Sequence, residues 1–171
     1  MKVPEGDSKK NSKEDSVEKP VGRSKESTQG LTGAGENRSS YHLNVKSYLD
    51  LTDPSAAREE GKFVILTKGK NLHLVLSPVA LTPYHANIVY QYLQVEGRGQ
   101  VEAVSSSGCR ILTKGWHVKG GGYYNVQTWL HTLTLLGKST AFGKYEAEVL
   151  KPFLEEIPGL LGLPSYFLEL K

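Results

Sequence analysis

The chain has 171 residues, enough for one domain with a sizeable core. Its formal net charge is only +3, and both signs are mixed along the chain, so the concentrated basic face of a nucleic-acid-binding protein is not expected. The single cysteine, Cys109, excludes an intramolecular disulfide and a zinc site built on paired thiolates, and it indicates a reducing, cytoplasmic compartment. No apolar run reaches the roughly 18 residues of a membrane span, so no membrane partner is expected.

The first 40 residues differ in composition from the rest of the chain. They hold no aromatic residue, and Lys, Glu, Ser, Gly and Asp dominate, as in "GDSKKNSKEDSVEKP". Such a segment buries too little apolar surface to offset the entropy lost on ordering. We therefore predict a disordered polar tail over 1–40 and a folded domain over 41–171, which we expect to be a monomer.

The domain alternates strands and helices. A short strand within 41–53 precedes a hairpin formed by 62–69 and 70–78. A helix is predicted next, with Thr82 as N-cap, Pro83 at its first position and an end near Gln94. Segments 99–107, 109–122 and 123–139 are β-rich, a last helix over 144–157 is kinked or divided by Pro152, and the apolar end packs on the domain. This order is typical of an α+β (mixed α/β) fold.

The segment "LLGKSTAFGK", residues 135–144, has the composition of an anion-binding loop. A strand is predicted to end at Leu136, and the glycines at 137 and 143 let backbone amides turn toward an anion. The hydroxyls of Ser139 and Thr140 add donors. A turn of this kind is also common as a simple connection, and it lacks the Gly-Lys-[Ser/Thr] ending of a nucleotide-binding loop.

His85 lies in the first turn of the predicted helix. Histidines there more often pack or lie at the surface. However, the unpaired amides of a helix N-terminus favour a phosphate nearby and disfavour a protonated imidazole. A neutral histidine beside an anion is suited to act as a general base or a nucleophile.

Three motifs occur in a fixed order: "PYHANI" at 83–88, "GGGYY" at 120–124 and "LTLLGKSTAFGK" at 133–144. Together with the strand "GKFVIL" at 61–66, and with the interval between Gly122 and Gly137, they resemble the phosphohistidine phosphatase (Janus/Ocnus) family. The resemblance extends over roughly residues 49–158.

The resemblance implies a single mixed β-sheet of about five to six strands flanked by two helices, with no metal or organic cofactor. It implies hydrolysis of phosphohistidine, in a protein or a small molecule, with His85 as general base or in direct contact with the phosphoryl group. The phosphate-binding residues would be Lys62, Ala86, Gly137, Ser139, Thr140 and Ala141.

The chain departs from the family at several positions. Tyr123 follows the glycine triplet and Ser77 precedes the histidine helix where the family has arginines, and Asn87 replaces an acidic residue. Losing two charge-assisted contacts would weaken phosphate binding. An insertion of about a dozen residues before the triplet carries cations that could replace them: Arg98, Arg110, Lys114 and Lys119.

Two other functions stay open from the sequence. The first is a non-catalytic module that keeps the fold and an anion pocket and binds a phosphorylated partner or a nucleotide. The second, weaker one is RNA binding through the aromatic residues Trp116, Tyr123, Tyr124 and Trp129, although aromatics on strands more often belong to a core.

Overall fold

The computed structural model describes residues 40–51 and 58–171, and all structural statements concern these residues. The predicted tail lies outside the described residues, apart from its last residue. The described part of the chain confirms the α+β fold, because a mixed sheet is accompanied by short helices.

The strands are β1 His42–Ser47, β2 Arg58–Lys68, β3 Asn71–Pro78, β4 Val101–Ala103, β5 Cys109–Ile111, β6 Trp116–Gln127, β7 Thr132–Leu136, β8 Lys138–Ser139, β9 Gly143–Lys144 and β10 Phe167–Leu170. Six of them form the continuous path of the main sheet, in the order β1-β3-β2-β6-β7-β10. The two outer pairs, β1 with β3 and β10 with β7, are parallel, and the pairs between them are antiparallel. β8 and β9 extend this sheet beside β6, and β4 and β5 form a separate two-stranded sheet.

The central strands are apolar on both faces, which buries the sheet between two cores. In β2, Phe63 and Ile65 belong to one core cluster, whereas Val64 and Leu66 belong to the other. This alternation follows from the two-residue period of a strand. The core that contains Val64 and Leu66 is closed by the helical segment with Ile88, Val89, Tyr92 and Leu93. The core that contains Phe63 and Ile65 is closed by apolar residues of the C-terminal segment: Tyr145, Leu150, Ile157, Leu161 and Leu163.

The predicted central helix exists but begins later than expected. Helix α1 spans His85–Tyr90 and continues as a π-helical turn over Gln91–Val95, so its predicted end is confirmed. The prediction of Thr82 as N-cap was wrong, since the N-cap is Tyr84. The amides of Leu81 and Thr82 instead bond the carbonyl of Pro78 in a turn after β3. His85 is therefore the first helical residue.

The helix predicted over 144–157, kinked or divided at Pro152, was wrong. Lys144 belongs to β9, and two 3-10 turns, Ala147–Val149 and Lys151–Phe153, precede the short helix α2 at Glu156–Leu160. Pro152 has no N–H to donate, which disfavours a continuous α-helix through this segment. The expectation that the apolar end packs on the domain is confirmed, because β10 pairs with β7 and Leu163 is buried.

Strand β6 contains an irregularity opposite β2. Val64 pairs with Gly121 and Leu66 pairs with Val118, so β6 has one more residue than β2 across this interval. Gly120 lies within it at φ +103, a conformation that glycine adopts readily. The extra residue changes which positions of β6 point to the α1 side of the sheet. Before Gly120 these are the even-numbered Trp116 and Val118, which pack in the same core as Val64. After Gly120 they are the odd-numbered Gly121 and Tyr123.

His73 on β3 is a buried histidine outside the motif region, and it makes stability depend on pH. Its Nδ1 lies 2.8 Å from the Tyr92 hydroxyl. Burial, with Arg98 and Lys68 nearby, lowers the pKa of His73 to about 4. An unfolded histidine titrates near 6.5, so this stability is complete above that pH and is lost as the pH falls toward 4.

We expect the free energy of unfolding to fall by about 2–3 kcal/mol between pH 7 and pH 4.5 through His73 alone. Urea unfolding at a series of pH values measures this change. Because carboxylates and His85 also titrate, the comparison is with His73→Phe, whose pH dependence should be shallower by this amount. Equal pH slopes for the two proteins would contradict the assignment.

Candidate functional site

A cavity of about 470 Å³ opens beside the start of α1. Four of the seven residues predicted for the site line it: Lys62, His85, Thr140 and Ala141. Six further residues complete the lining: Tyr84, Ser107, Gly108, Cys109, Tyr123 and Phe142. The folded chain therefore brings β2, α1, β6 and the loop between β8 and β9 together in one place.

His85 is held in one orientation by the sheet. Its side chain is buried, at 6% exposure, and its Nε2 lies 2.8 Å from the carbonyl oxygen of Gly122. A carbonyl only accepts, so Nε2 donates, and in the neutral ring Nδ1 keeps its lone pair. A Cβ at position 121 would lie 3.1 Å from His85 Cδ2, so the glycine there leaves space for the imidazole.

The surroundings of His85 favour its neutral form. Burial is the main cause that lowers the pKa of His85 below 6.5, and the Lys62 ammonium lowers it further, while the hydrogen bond to Gly122 acts in the opposite direction. A histidine in this state at pH 7 is able to accept a proton.

Lys62 supplies positive charge to the cavity. Its ammonium group donates to the carbonyl of Pro83 and lies 5.7 Å and 5.9 Å from the ring centroids of Tyr84 and Tyr123. The cavity lining includes one lysine and no aspartate or glutamate. This balance of charge fits an anion.

The loop at 137–144 has a different arrangement from the one predicted. Ser139 is buried, and its Oγ accepts a hydrogen bond of 3.1 Å from the amide of Phe142, which closes the loop on itself. Neither Ser139 nor Gly137 lines the cavity, whereas Thr140 and Ala141 do. The hydroxyl available to a ligand on this loop is therefore that of Thr140.

Ala86 is also outside the cavity lining, and it is buried in α1. Ser77, which occupies an expected arginine position, is buried opposite Lys62, and its Oγ has no hydrogen-bond partner within the described ranges. The other such position, Tyr123, does line the cavity and is 44% exposed. It lies with its ring centroid 5.7 Å from that of His85.

The insertion contributes to the site through its backbone turn rather than through its cations. It forms the β4–β5 hairpin, whose turn places Ser107, Gly108 and Cys109 at the cavity. None of its cations lines the cavity, and three of them form ion pairs with glutamates: Arg98 with Glu96, Arg110 with Glu102 and Lys119 with Glu146.

Two of the aromatics considered for RNA binding, Trp116 and Tyr124, are core residues. In residues 40–51 and 58–171, no three His, Cys, Asp or Glu side chains cluster so that they would hold a metal ion. The same ranges include no helix with the length and apolar character to cross a membrane.

Cys109 offers a chemical probe of the cavity. It is partly buried, and burial raises the pKa of its thiol. Because the thiolate is the reactive form, we expect N-ethylmaleimide to label it more slowly than it labels glutathione at pH 7. Inorganic phosphate that occupies the cavity should slow labelling further.

Mass spectrometry measures the rate directly, since Cys109 is the only cysteine in the chain. Cys109→Ser is the matched control and should remain unlabelled. A rate equal to that of glutathione, unchanged by phosphate, would contradict this placement of the thiol.

No protein-family model matches the chain, and no curated protein matches it. The chemistry of the cavity therefore carries the functional interpretation.

Proposed function

We propose that this protein removes phosphate from phosphohistidine, with His85 as general base in the cavity beside α1. One observation carries the proposal: a buried neutral histidine, oriented through Nε2, lines a cavity that has one cation and no carboxylate. The ordered motifs that resemble the phosphohistidine phosphatase family support the same reaction.

The reaction needs one base and a site for the phosphoryl group. Nδ1 of His85 takes a proton from water as the water oxygen bonds to phosphorus. The phosphorus–nitrogen bond breaks, and its electron pair remains on the substrate nitrogen, which then takes up the proton held by His85. The products are orthophosphate and free histidine.

The remaining groups position the phosphoryl oxygens. Among the groups that line the cavity, we assign the Lys62 ammonium and the Thr140 hydroxyl as donors to the phosphoryl oxygens. The phosphorus–nitrogen bond is labile, so positioning and electrostatic stabilisation are the main requirements for catalysis. A single cation is consistent with this modest demand.

A second candidate is a non-catalytic module that binds a phosphorylated partner. It is favoured by the residues at the two expected arginine positions, since Ser77 is buried and Tyr123 is uncharged. No cation of the insertion lines the cavity in their place. Binding without turnover would follow if one lysine holds the anion but stabilises the transition state too weakly.

Two measurements separate these functions. Release of orthophosphate from phosphohistidine is followed in the presence of a chelator, because the family resemblance implies no metal. Inorganic phosphate is also titrated into the protein and followed by NMR, with Lys62→Ala and Thr140→Ala compared with the wild type. Release of orthophosphate identifies the enzyme. Changes in the NMR chemical shifts of residues around Lys62, without orthophosphate release, identify the binding module. If neither is observed, both proposals are overturned.

We also infer a cytoplasmic location. The chain has a single cysteine, and within the described part it is a free thiol. Free thiols persist in reducing compartments, where structural disulfides are rare. Localisation of the full chain by microscopy tests the inference, and an extracellular protein would overturn it.

A further inference from the structure

A second cavity, also of about 470 Å³, lies next to the first. Tyr123 lines both cavities. The second cavity continues along β6 past Asn125 and Gln127, with Glu60 on β2, Thr134 on β7 and Lys171 at its other walls. None of the functions considered above assigns a role to it.

The length of the second cavity follows from the strand that lines it. Tyr123, Asn125 and Gln127 alternate along β6 and therefore point to the same face of the sheet. A strand rises about 3.3 Å per residue, so Gln127 lies about 13 Å along the strand from Tyr123. This is the span of about four residues of an extended chain.

The two cavities differ in charge. The first has one lysine and no carboxylate, whereas the second has one acid and one base, Glu60 and Lys171. Its other polar side chains are the amides of Asn125 and Gln127 and the hydroxyls of Tyr123, Tyr124 and Thr134, and the apolar Val79 and Leu136 complete the wall. A second phosphate group would require further cations, whereas neutral amides and hydroxyls match the N–H and C=O groups of a polypeptide.

Asn125 shows that this polar wall has unused hydrogen-bonding capacity. Its Nδ2 donates to a Glu60 carboxylate oxygen at 3.0 Å. Its Oδ1 is buried and has no hydrogen-bond partner among the residues that the structure describes. An amide oxygen accepts readily from a peptide N–H, and rotation of the side chain would present it to the cavity.

We propose that the second cavity binds the polypeptide on one side of the phosphorylated histidine, while the phosphoryl group lies beside His85. The proposal rests on the proposed function. Tyr123, which replaces a charged residue expected from the family, forms the wall between the phosphoryl site and this peptide site. The residues that flank the phosphohistidine thereby contribute to substrate choice.

Kinetics on two substrates test the proposal: free phosphohistidine and a peptide of about nine residues with phosphohistidine at its centre. Wild type is expected to have the higher kcat/KM for the peptide. Each of the variants Asn125→Ala and Gln127→Ala should lower the ratio of the two kcat/KM values by about threefold to tenfold, mainly through the KM of the peptide. Asn44→Ala, an exposed asparagine on β1, is the matched control and should change neither value.

Equal kcat/KM for both substrates in the wild type would overturn the peptide site but leave the proposed function intact. The peptide site would also be overturned, with the proposed function intact, if Asn125→Ala and Gln127→Ala lowered kcat/KM by the same factor for both substrates. Turnover of neither substrate would instead overturn the proposed function.

A binding measurement decides the peptide site independently of turnover. A peptide that carries a non-hydrolysable phosphonate analogue of phosphohistidine is titrated into the full chain, and the side-chain amide signals of Asn125 and Gln127 are followed by NMR. We expect both to shift, with the signal of Asn44 unchanged. Shifts confined to the residues of the first cavity would overturn the proposal.

Discussion

His85→Ala is expected to reduce kcat/KM for phosphohistidine by about 10²–10⁴-fold, with the fold retained. The substitution removes Nδ1, the atom that takes the proton from water. It leaves Lys62 and Thr140 in place, so phosphate still binds. Orthophosphate release measures the loss, and circular dichroism with thermal unfolding verifies the fold.

Two matched variants make this result specific. His85→Asn keeps a side-chain N–H that can donate to the Gly122 carbonyl, but it offers no base, so it should be as inactive as alanine. His117→Ala removes an exposed histidine of the same sheet and should leave the activity unchanged. A kcat/KM close to that of the wild type in either His85 variant would show that this residue is not the base.

The pH dependence of the wild type follows from the same group. Because the pKa of His85 is lowered below 6.5, its neutral form predominates at pH 7. We expect kcat/KM to be constant above pH 6.5 and to fall on the acid side at a pKa below that value. A decline that begins above pH 7 would indicate a different base.

Gly122→Ala is expected to destabilise the protein by about 3 kcal/mol or more. A Cβ at this position would lie 2.3 Å from the carbonyl oxygen of Leu136 and 3.0 Å from Cε1 of Phe63. The first of these atoms belongs to the backbone of β7, so the contact is relieved only by moving one central strand away from another. The Gly122 carbonyl that holds His85 would move with it.

Urea unfolding measures this cost, and Gly159→Ala supplies the control. Gly159 lies in α2, and a Cβ there would meet nothing within 4 Å. Alanine is the better helix former, so this control should change stability by no more than about 1 kcal/mol, in the stabilising direction. A cost below about 1 kcal/mol for Gly122→Ala would mean that β6 and β7 are less rigidly packed than described.

Local sequence patterns predicted the parts of the fold that depend on nearby residues. The hairpin of β2 and β3 was found because alternating apolar residues surround a short Lys-Gly-Lys-Asn turn. The start of α1 was predicted incorrectly. Threonine is favoured at the N-cap position, but the turn after β3 includes Thr82 and outweighs this preference. The helix over 144–157 failed for a similar reason: Lys144 pairs with Gly121, which is distant in sequence, and a helical pattern does not reveal this.

The candidate site was predicted where its residues belong to motifs. His85, Lys62, Thr140 and Ala141 came from such motifs, and the cavity brings them together. Ser107 and Cys109 were missed because nothing local to the hairpin indicates that its turn meets α1. The position of Tyr123 could be compared with the family, but its exposure between two cavities depends on the geometry of the whole sheet.

The extra residue of β6 at Gly120 fixes the number of residues that this strand must have between Trp116 and Tyr123. Before it, the even-numbered Trp116 and Val118 face α1, and after it the odd-numbered Tyr123 faces the same side. Deleting one residue here would keep every other amino acid and yet turn the second half of the strand over, so that Tyr124 entered the cavity beside α1 and Tyr123 the opposite core. The number of residues between Trp116 and Tyr123 is thus as strict a requirement for the site as the identity of His85.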